Sequence, residues 1–117
     1  MATVSPAFSF VQAQSSKVPR TVWADIVTGD TIDPLIVAGQ AAVAGCVQID
    51  GTFGGATVGL QASNDGVTYF DIKDLGGTVI STTSAALFEF TTAAVYLRPV
   101  VTSGSANAID VTMVLRG

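Results

Sequence analysis

The sequence predicts an all-β chain, a single-domain antiparallel β-sandwich or jelly roll of about eight strands with an extended N-terminal arm. Three observations predict it. The composition is 49% hydrophobic and 12% charged, with 12 glycines, and it is rich in Thr, Val and Ala, a mixture that suits strands joined by tight turns. Apolar residues recur with period two along several segments, and none shows a helical period. Turn residues punctuate the chain at short, even spacing, the signature of sandwiches. With 117 residues there is material for one hydrophobic core and not for two.

Met1 to Arg20 (residues 1–20) carry Pro6 and Pro19, a polar patch at Gln12 to Ser16, and Phe8 and Phe10 spaced for one face of a strand, which together predict an arm or edge strand. Residues 21–117 form the predicted sandwich. Its first strand is Thr21 to Val27, with Val22, Ala24 and Ile26 on one face, ended by Gly29-Asp30-Thr31. Asp33-Pro34 opens an extended piece from Leu35 to Ala38, closed by Gly39-Gln40. Val43, Gly45, Val47 and Ile49 then share a face, up to Asp50-Gly51. Gly51-Thr52-Phe53-Gly54-Gly55 is read as a hairpin connection into Ala56 to Ala62, with Val58 and Leu60 inward. Ser63-Asn64-Asp65-Gly66 predicts a type I′ hairpin turn before Val67 to Lys73. After Asp74-Leu75-Gly76-Gly77 come a short run at Val79-Ile80 and a strand marked by Leu87, Phe88 and Phe90. Val95, Leu97 and Val101 alternate with Tyr96 and Arg98, and Ile109, Val111, Met113 and Leu115 alternate with Asp110, Thr112 and Arg116. Pro99 removes a ladder donor, so its strand is expected at an edge or with a bulge.

Composition also narrows function. Five Lys plus Arg against nine Asp plus Glu give a net charge of −4, which supplies no electrostatic footprint for nucleic acid. So few charges imply a surface largely covered against other subunits. The most apolar stretch, Leu35 to Val47, is too short and interrupted to span a bilayer, and no basic segment followed by an apolar run marks a secretory signal. The single cysteine, Cys46, is expected as a small buried thiol among the apolar flanks of Ala44-Gly45-Cys46-Val47.

The chain contains no histidine, which leaves no Ser-His or Cys-His nucleophile system. Asp25, Asp30 and Asp33 cluster near a turn, where bonding to local amides is favoured over a catalytic pair. Asn64-Asp65-Gly66 with Asp71 and Asp74 offers too few oxygens for a calcium cage. Gly51 to Gly55 lacks the Gly-Lys-Ser/Thr and the helix of a phosphate loop. Catalytic, cofactor and metal residues are therefore not expected. Trp23, Tyr69, Phe70 and Tyr96 are the aromatic groups from which a sugar-stacking platform could be built, with core or interface roles favoured for them.

The order Trp23, Gly29-Asp30-Thr31, Asp50-Gly51-Thr52-Phe53-Gly54-Gly55-Ala56-Thr57-Val58, Ser63-Asn64-Asp65-Gly66, Tyr96-Leu97-Arg98-Pro99 and a closing Val111 to Arg116 strand resembles small structural proteins encoded in tailed-phage genomes. The resemblance implies a non-enzymatic virion protein, a capsid decoration or cement subunit made in the bacterial cytoplasm and carried on the capsid surface. Its implied partners are the major capsid protein and further copies of itself, as a homotrimer, with no direct nucleic acid and no membrane. Phe8, Phe10, Trp23, Tyr96, Arg98 and Pro99 are the candidate interface residues. A head fibre, tail or baseplate component, or a carbohydrate-binding attachment module, are the alternative readings. Gln61 to Tyr69 followed by Tyr96-Leu97-Arg98 is also similar to the back half of discoidin-type sandwiches, although that family's front half and paired cysteines have no counterpart here.

Overall fold

A computed structural model describes residues 2–13, 16–37 and 43–116. Gln14 and Ser15 of the predicted polar patch, and Ala38 with the Gly39-Gln40 break, lie outside the described residues. Among the described residues every regular element is a strand. In chain order they are β1 (Thr3–Val4), β2 (Ala7–Ala13), β3 (Ser16–Ile26), β4 (Thr31–Ile32), β5 (Leu35–Ile36), β6 (Val43–Thr52), β7 (Thr57–Ser63), β8 (Phe70–Asp71), β9 (Ser81–Thr82), β10 (Ala86–Thr92), β11 (Tyr96–Thr102) and β12 (Ala108–Arg116). Seven of the twelve are long and five contribute two residues each, so the predicted eight becomes seven substantial strands plus short ladders.

Two antiparallel sheets pack around one core. The first has the order β10-β6-β12-β3-β2, and the second β5-β11-β7-β8 with β9 also on β7. A small parallel ladder joins β1 to β4. The chain is consistent with the β-sandwich class, and among the described residues no helix is long and apolar enough to cross a membrane. β6 and β12 show why the sequence folds this way. Val43, Gly45, Val47 and Ile49 on one strand, and Ile109, Val111, Met113 and Leu115 on the other, alternate inward without interruption. Val58, Leu60, Ala62 and Leu97 close the core from the second sheet. Fully burying each Val, Ile, Leu or Met side chain among them contributes about 1.5–3 kcal/mol.

β3 departs from the predicted phase. Thr21 and Trp23 point inward, while Val22 is half-buried and Ala24 exposed. The register against β12 slips between Ile109↔Ile26 and Val111↔Trp23, so three residues of β3 span the length of two on its neighbour. The extra residue is absorbed where Asp25 adopts φ of 56°. This β-bulge resets the alternation and returns Ile26 to the core three residues after Trp23, a change that strict period-two reading misses.

Two turns also differ from expectation. β6 and β7 belong to different sheets, so residues 53–56 turn a corner of the sandwich and do not close a hairpin. That corner interlocks with the loop before β12: Ser105 N donates to the Gly54 carbonyl at 3.0 Å, and a Cβ at Gly104 would sit 2.7 Å from the same oxygen. β7 and β8 do form a hairpin, yet β8 begins at Phe70, leaving a six-residue loop. A type I′ turn needs positive φ at both central residues, and in this loop only Gly66, at 75°, has it.

Candidate interaction surface

Of the carboxylates singled out in the sequence, Asp30, Asp33, Asp65, Asp71 and Asp74 accept hydrogen bonds within their own fold, whereas Asp25 is exposed and takes part through its backbone amide. Asp30 Oδ2 accepts from Val27 N at 2.9 Å and Oδ1 from Ala2 N at 3.0 Å. The Val27 amide, and after it the Ala2 amide, hold the Asp30 carboxyl below the usual carboxylate range. Asp33 Oδ2 accepts from the Ser5 hydroxyl at 2.9 Å. Together these bonds fasten residues 2–5 alongside β4. Asp65 Oδ1 accepts from Val67 N at 2.8 Å, from Thr68 N at 3.0 Å and from the Ser63 hydroxyl at 2.8 Å. Those donors, with Val67 foremost, lower its pKa to about 2, because they favour the charged form. Among the described residues no group of three or more His, Cys, Asp or Glu could hold a metal ion, and no buried side-chain polar atom lacks a partner.

The aromatic candidates separate into two populations. Trp23 is 0% exposed and its indole Nε1 donates to the Asp33 carbonyl at 2.8 Å, so it belongs to the core and not to a contact surface. The bulge decides this by turning the Thr21 and Trp23 face inward. Its burial also removes the ring that a sugar-stacking platform would have needed most. Tyr69 is half-buried beneath Arg98, whose Cζ lies 3.7 Å from the ring centroid, a cation–π stack. Pro99 is buried, and Tyr96 and Arg98 are half-buried. β5 pairs β11 only at Tyr96 and Leu97, so from Arg98 onward no described strand lies on that flank, where a missing amide is harmless.

Phe8 and Phe10 are different. They are 56% and 58% exposed, and their rings meet edge to face with centroids 5.2 Å apart. The β2–β3 register pairs Phe8 with Thr21 and Phe10 with Pro19, and Thr21 points into the core. Directly opposed residues share a face, so both rings stand on the core-facing side of a strand that overhangs the second sheet. A second overhang exists at β8, where Phe70 pairs with inward-facing Ala62 yet is exposed. Phe70 borders an open hollow of about 260 Å³ shared with Ser63, Thr68 and Ala94. The two overhangs lie on opposite flanks. Leu75, shortly after β8, bonds through its amide to Glu89 of β10, whereas Asp33, just before β5, is bonded by Trp23 of β3. The sequence marks Phe8 and Phe10 by their spacing; exposed Ile36, Val67 and Phe70 carry no comparable signal, because their exposure depends on where the opposing sheet ends.

The geometry thus defines a β-sandwich whose polar groups close its own turns and whose inner apolar faces extend past the opposing sheet at two flanks, where Phe8, Phe10 and Phe70 are exposed. Comparison with protein-family models, with curated proteins and with solved structures gave no match for the chain.

Proposed function

We propose that this chain is a non-enzymatic structural subunit of a bacteriophage particle, a decoration or cement protein that binds the assembled head and bridges joints between major capsid proteins. The observation that carries the reading is the pair of exposed apolar flanks, Phe8 with Phe10 on one sheet and Phe70 on the other. A bridging subunit needs two separate contact surfaces, and contiguous exposed apolar groups mark such surfaces. The ordered turns and strands that resemble small tailed-phage structural proteins supply the particle, and the commitment of Asp30, Asp65, Asp74 and Asp110 to backbone amides agrees with a scaffold role. A protein that binds only the assembled shell stabilises it by its binding free energy, multiplied where several copies act together. The test is imaging of purified particles made with and without the gene for this chain, together with its copy number. Near-stoichiometric density on the head supports the decoration role, low copy number at the tail moves the protein to a tail or baseplate position, and absence from every particle ends the proposal.

A further inference from the structure

We propose that β2 is a self-association edge, and that two copies of this chain pair β2 to β2 in antiparallel fashion about a two-fold axis near Ser9. Sheet edges invite added strands unless they are blunted, and the other edges here are. On β10, Glu89 places a charge and its carbonyl accepts from Leu75 N at 3.0 Å, so a loop lies against the edge. The β11 flank carries Arg98 and Pro99 beyond the two-residue β5. β8 is two residues long and includes Asp71. Among the described residues β2 has none of these devices. It runs for seven residues, AFSFVQA, with no charge and no proline, keeps continuous register with β3 from Ala7 to Ala13, and has no described strand on its outer side.

The occupant follows from symmetry and charge. An antiparallel strand is complementary to its own copy, and a two-fold contact presents the same patch on both partners. The strand then meets its own copy, so a strand of one sign of charge would repel itself; β2 is neutral although the chain carries −4. With Ser9 opposite Ser9, Phe8 of each copy faces Phe10 of the other, and four rings gather over the overhang that the second sheet leaves uncovered. The product is one continuous ten-stranded sheet, with the Phe70 flanks pointing away from the joint and available to other partners.

The experiment needs no virus particle, so its failure is distinguishable from failure of the functional reading above; a dimer would leave the two Phe70 flanks of the pair as the surfaces that bridge. Sedimentation of the purified chain at about 100 μM, where an interface of micromolar Kd is saturated, is expected to show a dimer. F8K combined with F10K places lysines opposite one another and is expected to raise the dimer dissociation constant about tenfold or more. Should that variant fold poorly, cross-linking decides. S9C in a C46A background is expected to give a disulfide-linked dimer under mild oxidation, while T91C in the same background stays monomeric. A monomer or trimer in sedimentation, a dimer undisturbed by F8K with F10K, or equal cross-linking at both positions would overturn the assignment.

Discussion

Trp23 of β3 is bonded through its indole nitrogen to the main-chain carbonyl of Asp33, 2.8 Å away, and this one contact ties the first sheet to the bend that leads into the second. The ring fills the core while its one donor is satisfied, the condition under which a buried tryptophan stabilises. Trp23→Phe removes the donor, strands the carbonyl and leaves a void. The expected loss is about 2–4 kcal/mol, measured as a lower urea midpoint by circular dichroism. A change below about 0.5 kcal/mol, the size of an ordinary surface substitution, would mean that the bond and the packing contribute little.

Gly45 and Phe90 are opposed on β6 and β10, and the phenylalanine ring lies directly over the glycine. A Cβ at position 45 would stand 2.6 Å from Cε1 and 2.7 Å from Cε2 of that ring, which is itself buried. Gly45→Ala therefore overpacks the core, at a cost of about 1–3 kcal/mol. Adding Phe90→Leu frees the space, so the double variant is expected to be less destabilised than the sum of the two singles. Additive losses would argue that the ring moves aside freely.

The same pair shows what a linear reading can and cannot see. Val43, Gly45, Val47 and Ile49 are legible as an inward face because nothing interrupts their alternation, and the same holds from Ile109 to Leu115. That Gly45 is required by Phe90 is not legible, since the two are joined only by strand pairing. The face of β3 is misread for another local reason. Asp25 in a left-handed conformation shifts the phase, and nothing in Ala24-Asp25-Ile26 distinguishes it from an ordinary strand. The exposed flanks follow the same rule. The spacing of Phe8 and Phe10 is visible in the chain, but whether they are covered depends on the width of the opposing sheet.

Asp65 predicts a pH dependence. Its folded pKa of about 2 lies below the ordinary value of 3.8, so folding favours the ionised form. That contribution is fully present above the unfolded value and is lost as pH falls through the folded one. Asp30, lowered in the same direction by the amides of Val27 and Ala2, adds to it. Stability is therefore expected to fall between about pH 4 and pH 2, and Asp65→Asn should flatten the fall. A carboxyl resonance of Asp65 titrating near 4 would contradict the loop geometry.

Asp110 holds the bulge. Its Oδ1 accepts from Asp25 N at 2.9 Å, at the residue whose positive φ lets Ile26 re-enter the core. Asp110→Ala removes that acceptor, and an expected loss of about 0.5–1.5 kcal/mol follows from one hydrogen bond near the surface. Asp110→Asn keeps an oxygen able to accept, and it also relieves the like charge of Asp50, its direct cross-strand partner. The asparagine variant should thus match or exceed the parent while the alanine variant falls below it. Amide exchange at Asp25 separates this bond from a general surface effect, because protection should be lost in Asp110→Ala alone. Asp25→Gly, which relieves the left-handed backbone, is expected to offset part of that loss when combined with Asp110→Ala. If the asparagine and alanine variants are equal in both stability and exchange, the bulge is held by Trp23 and Ile26 packing and not by the carboxylate.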